Sequence, residues 1–139
     1  MAELEARVSM GSFEVDTNTG ALFARDDGIP PCFGFDWRDR RIEARLDGDT
    51  LHVVAWVGRV PSSATHVPRV PAFEMLRALP RALPEAWKVT LEASHTVRIE
   101  VEIWFDGPIT AAILVTGLTS RMLAMAPYLD LLEEAGVAC

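Results

Sequence analysis

From Val97 to Phe105 every second residue is apolar (Val97, Ile99, Val101, Ile103, Phe105), with Arg98, Glu100, Glu102 and Trp104 between them. Side chains of an extended chain alternate between two faces, so this run is a strand with one face in a core. The same period appears upstream. Phe33, Phe35 and Trp37 interleave with Gly34 and Asp36; Ile42, Ala44 and Leu46 interleave with Arg41, Glu43 and Arg45. After the tight turn Asp47-Gly48-Asp49, Leu51, Val53, Ala55 and Val57 alternate with His52, Val54 and Trp56. Three strands with short links make an antiparallel meander.

The period then changes. Gly58 to Val70 reads as a loop; Pro71 suits a first helical turn, and Phe73, Leu76, Leu79 and Leu83 lie at helical spacing. Pro80 and Pro84 interrupt or kink that helix. Val89, Leu91 and Ala93 begin a second block of strands, Val97–Phe105 continues it, and the apolar run Ile109 to Val115 is expected as a central strand. A last helix is expected from a cap at Thr119 or Ser120, with a stripe of Met122, Met125, Leu129 and Leu132, a kink at Pro127 and a stop at Gly136. In the first thirty residues Ala2 to Arg7 suits a short helix, and the stretch from Phe13 to Ala24 suits either a hairpin or a frayed helix. The expected fold class is α+β: an antiparallel twisted sheet of five to six strands with two to three helices, as a single domain over 1–139.

Composition limits the partners. The formal net charge of −7 opposes nucleic acid and anionic membranes, both of which select a basic surface. The opening residues carry charges and no apolar run, and no stretch reaches the roughly 18 apolar residues of a membrane span, so a soluble, cytoplasmic protein is expected. The two cysteines, Cys32 and Cys139, do not form a disulfide framework.

Catalysis has no visible constellation. His52, His66 and His95 are scattered, and none has a partner at metal-ligand spacing. Cys32 lacks an activating signature, there is no phosphate-binding loop, and Asp36, Asp39, Asp47 and Asp49 sit where turns ordinarily place aspartate. The expectation is a non-enzyme without cofactor or metal. What the chain does carry is large apolar groups on both faces of several strands, Trp37, Trp56 and Trp104 among them. Such groups either fill a core covered on two sides or mark a surface that receives a partner, including an extended segment added to a sheet edge.

The order of elements and the run Cys32 to Ser62 (CFGFDWRDRRIEARLDGDTLHVVAWVGRVPS) resemble the class I type III secretion effector chaperones. The run ends in Gly58-Arg59-Val60-Pro61, similar to that family's Gly-x-Leu/Val-Pro closure, and Leu118 to Ala135 resembles its last helix. Within the family the narrower likeness is to the small acidic chaperones of phospholipase effectors. One departure is plain: the family opens on a long helix, and residues 1–31 show none. The resemblance implies a homodimer that holds an extended segment of a secreted effector protein and keeps it export-competent. It points to Phe33, Phe35, Trp37, Val54 and Trp56 as effector-binding residues, and to Phe73, Leu76, Trp104 and Leu114 at the dimer interface. Two other classes compete: a YbjN-like α+β binding domain with no secretion role, and a small enzyme whose groups converge only in the fold.

Overall fold

The computed structural model describes residues 7–26, 28–62 and 68–138, with the backbone alone for 7–10. Its first strands are β1 (Arg7–Met10), β2 (Phe13–Asp16) and β3 (Leu22–Ala24). The meander follows as β4 (Cys32–Trp37), β5 (Arg40–Asp47) and β6 (Thr50–Arg59). Helix α1 (Val70–Ala82), strands β7 (Trp87–Leu91) and β8 (Thr96–Trp104), and helix α2 (Ala111–Glu134) complete it. The class is α+β, as the alternating patterns require.

Five strands form one antiparallel sheet in the order β4-β5-β6-β8-β7. Its phase is set by two-residue turns. Arg38 and Asp39 link β4 to β5 with both φ angles positive (51° and 63°), as a type I′ hairpin needs, and place Trp37 opposite Arg40. Phe33 then stands opposite Ala44, Ala44 opposite Val53, and Val53 opposite Val101. Phe33, Phe35 and Trp37 therefore share a face with Ile42, Leu51, Ile99 and Ile103, the buried centre of the core. The other face carries Arg41, Glu43, Arg45, His52, Arg98, Glu100 and Glu102, with His52 opposite Glu102 on the neighbouring strand.

Both helices cover the apolar face. Helix α1 carries the expected Pro71 in its first turn, and, contrary to the expected interruption at Pro80, it continues through that residue to Ala82, packing against β7 and α2. Helix α2 corrects the expectation for Ile109–Val115. This stretch is no strand: after Ile109 and the capping Thr110, the helix begins at Ala111. The Thr110 hydroxyl accepts a hydrogen bond from the Ile113 amide at 3.1 Å, so the cap lies nine residues before the Thr119 expected from the sequence. Leu114, Leu118, Met122, Met125, Leu129 and Leu132 form one buried stripe at spacings of three and four. Gly117 lies inside the helix because a Cβ there would stand 3.1 Å from the Phe105 ring; its absence lets α2 approach the end of β8.

The far end of α2 is held by charge. Buried Arg40 donates to the Val57 carbonyl at 2.7 Å, to the Arg38 carbonyl at 2.9 Å and to Glu133 Oε1 at 2.6 Å, while Arg38 pairs with Asp130 at 2.7 Å. Gly136 (φ 99°) ends the run, Val137 is buried, and Ala138 bridges to Arg59. By length and composition α2 is the one helix among the described residues apolar enough to cross a bilayer, yet its buried stripe builds the core of this domain.

The amino-terminal part resolves in favour of strands. β1, β2 and β3 form a small antiparallel sheet of their own, and Arg7, expected at the end of a helix, opens β1; Ala2 to Ala6 lie outside the described residues, as do His66 and Cys139. This sheet is stitched to the head of α2 through Leu22 N–H to Ile109 O (2.7 Å) and Ala111 N–H to Gly20 O (3.1 Å).

Candidate functional site

The helices do not reach evenly across the sheet. α1 lies over the β7 side and α2 over the middle, which leaves the apolar side chains of edge strand β4 half-covered. β4 and α2 run alongside each other from the small sheet to the Arg38 turn. Two hollows follow one another between them. The first, about 450 Å³, is lined by Phe13, Val15 and Leu22 of the small sheet, Phe33 of β4, and Leu114 and Val115 of α2. The second, about 300 Å³, is lined by Phe35 and Trp37 opposite Leu118, Thr119, Met122 and Leu123. Phe33 and Phe35 stack at 6.3 Å across the join, and Phe13 tilts against Phe33 at 6.0 Å. Two residues of the helical wall are conspicuously uncovered for their type: Val115 is 57% exposed and Leu123 66%.

The edge of β4 supplies the second half of the site. In an extended strand the N–H and C=O of one residue point to one side and those of the next to the other. The Pro31 carbonyl accepts from Leu46 N–H on β5 (2.8 Å), so Pro31 points inward and Cys32 outward. Consistent with this, both Cys32 groups meet the Ser12 hydroxyl, which accepts from the Cys32 N–H at 2.8 Å and donates to the Cys32 carbonyl at 2.7 Å. By the same alternation Gly34 and Asp36 turn their amides and carbonyls outward, and among the described residues no strand lies beyond them. The result is a row of main-chain hydrogen-bonding groups directly above an apolar groove. Its lining contains no acid, base or nucleophile stronger than the Thr119 hydroxyl.

The five residues expected to contact a client do not assemble as one site. Phe33, Phe35 and Trp37 form the strand wall of the groove. Val54 and Trp56 lie on the opposite face of the sheet, since Val54 pairs with Glu43 and Trp56 with Arg41, both outward residues. Trp56 is half-buried there and its indole N–H donates to Glu92 at 3.0 Å. The expected dimer set is divided as well. Leu114 is buried in α2 against the sheet; Phe73 and Leu76 pack from α1 onto the core; only Trp104, 59% exposed at the end of β8, is open, beside Ile113 of α2. Sequence reasoning misses Val115, Leu118, Thr119, Met122 and Leu123 as groove residues, because it places Val115 in a strand, Leu118 before the expected cap at Thr119 or Ser120, and Met122 and Leu123 in a helix known only by its apolar stripe. The signal is present: Val115, Thr119 and Leu123 repeat at four-residue spacing beside that stripe.

A second, polar hollow of about 180 Å³ lies on the open face between His52, Lys88, Glu100 and Glu102, where His52 Nδ1 is 3.3 Å from Glu102 and Lys88 stands opposite Glu100. Its polar lining is one histidine, one lysine and two glutamates. Among the described residues no group of three or more His, Cys, Asp or Glu side chains is placed to hold a metal ion. No protein-family model matches the chain, and no curated protein is significantly similar to it.

Proposed function

We propose that this protein holds an extended segment of another protein: the segment adds as a strand outside β4 and lays alternate apolar side chains into the groove against α2. The observation that carries the reading is the juxtaposition of outward main-chain groups at Gly34 and Asp36 with the apolar walls Phe33, Phe35, Trp37 and Val115, Leu118, Leu123. Main-chain hydrogen bonds supply affinity in such a mode and side-chain pockets supply selectivity. The mode suits a chain kept unfolded, because a flexible client loses entropy on binding and needs apolar burial to offset it.

This is the work of a class I type III secretion chaperone, and within that reading the client is a secreted effector segment, the compartment is the cytoplasm and the protein is a homodimer. The net charge of −7 favours encounter with a basic client. Trp104 and Ile113, exposed side by side, are the apolar pair that a second copy would cover in this reading. Co-expression with the proteins encoded beside its gene tests the reading. A soluble complex is expected with one of them, and Val115→Asp together with Leu123→Asp should abolish it while the thermal midpoint stays unchanged. A complex that survives both substitutions places the client elsewhere and sinks the groove.

A further inference from the structure

The groove and the edge of β4 are not coextensive, and the residue that separates them is Ser12. It occupies the second position of the two-residue turn between β1 and β2, after Gly11 (φ 60°), a turn of the type that favours glycine first. The tip of this hairpin leans on the start of β4. There one hydroxyl satisfies both outward groups of Cys32, doing with a side chain what a neighbouring strand would do with its backbone. Gly34 and Asp36, the next two outward residues, have no such strand beside them among the described residues.

We infer that Ser12 is a register stop: by saturating the Cys32 rung it compels an added strand to begin at Gly34. The inference rests on the strand-addition reading above and makes it more specific. Register is otherwise weakly fixed on this edge. Successive outward residues repeat every second position, about 7 Å apart, and main-chain groups carry no side-chain identity. A strand slipped by one repeat keeps its alternation and still places apolar residues in the groove. With Cys32 closed, that slip loses a rung. The bound segment is therefore short at this end, with two outward residues to pair and three groove-facing positions opposite Phe33, Phe35 and Trp37. Exposed sheet edges promote indiscriminate pairing, and a plugged first rung also limits how much edge is offered to a second copy.

The test uses the full chain and a capped peptide alternating threonine and valine, with a nitroxide at one end, followed by amide resonances. In the wild type the label should broaden one end of β4 only, with the Gly34 and Asp36 amides protected on binding. Ser12→Gly keeps a turn that accepts glycine at both positions and removes the hydroxyl. It should speed exchange of the Cys32 amide by about tenfold, and it should add a second set of broadened amides shifted by one repeat toward Cys32. Ser12→Thr, which retains a hydroxyl, should restore the single register. Peptide that binds in the same single register to Ser12→Gly overturns the role of Ser12 and leaves the groove reading standing. Peptide that protects neither Gly34 nor Asp36 in any variant overturns the strand-addition reading, and the register stop with it.

Discussion

The two edges of the five-stranded sheet are finished in opposite ways. On the β7 side α1 packs down, Trp87 meets Tyr128 edge-on at 5.9 Å, and the Tyr128 hydroxyl donates to the Ala82 carbonyl, so strand, α1 and α2 close on one another. On the β4 side α2 stops short, the helical wall stands apart from the strand, and Val115 and Leu123 remain open. Among the described residues two helices pack on the five strands, and the apolar side chains of β4 stay half-covered beside outward backbone groups that no described strand pairs. Of the exposed large apolar residues, Val115 and Leu123 are the two that stand over the β4 edge, where among the described residues no strand pairs Gly34 and Asp36.

The comparison can be broken most forcefully from the closed side. Leu129 is fully buried in the stripe that joins α2 to the sheet, and Leu129→Ala should cost about 3–4 kcal/mol by urea denaturation. Arg40→Ala should follow, at about 2 kcal/mol, chiefly because it removes the buried donor to the Val57 carbonyl; the contact with exposed Glu133 adds little. If Arg40→Ala leaves the urea midpoint unchanged, the far end of α2 is held by its apolar stripe and the Arg38–Asp130 pair without help from Arg40. Gly58→Ala should cost about 1–3 kcal/mol: at φ 156° its Cβ would stand 3.0 Å from Val137 and 3.1 Å from the Ala138 backbone, so the bridge to Arg59 must open. Accelerated exchange of the Ala138 amide would register that opening.

From the open side the expected effects fall on binding instead. Leu123→Asp should change stability by less than about 0.5 kcal/mol, since surface substitutions rarely do more, and yet remove client binding. A destabilised variant would show that the groove is closed in solution. Trp56→Phe should have the smallest effect on binding, none, while costing about 1 kcal/mol of stability from the lost hydrogen bond to Glu92. Weakened client binding would move the site to the charged face and undo the contrast between the two edges.

Much of the fold is legible in the sequence because it follows from local periodicity. The meander Cys32 to Val57, the strand Val97–Phe105 and helix α1 all appear where alternation or helical spacing puts them. The failure at Ile109–Val115 has a definite cause. A short apolar run with Ile, Val and Thr has no period of its own, so it does not separate a buried strand from the first turns of a helix. The site is half-legible. Phe33, Phe35 and Trp37 stand out as an aromatic face, but Val54 and Trp56 do not belong with them, and counting across the two-residue turns puts those two on the other side.

The sequence by itself determined the class, the five strands of the main sheet and the two faces of each, since alternation is a property of neighbouring residues. It also determined the acidic balance and the absence of a local catalytic motif. Only the tertiary structure decided which face the helices cover, how far α2 extends, and that Ser12, twenty residues before Cys32, meets the β4 edge. Those outcomes depend on contacts between elements distant in the chain, whose energies are comparable to those of the alternatives and which no local pattern encodes.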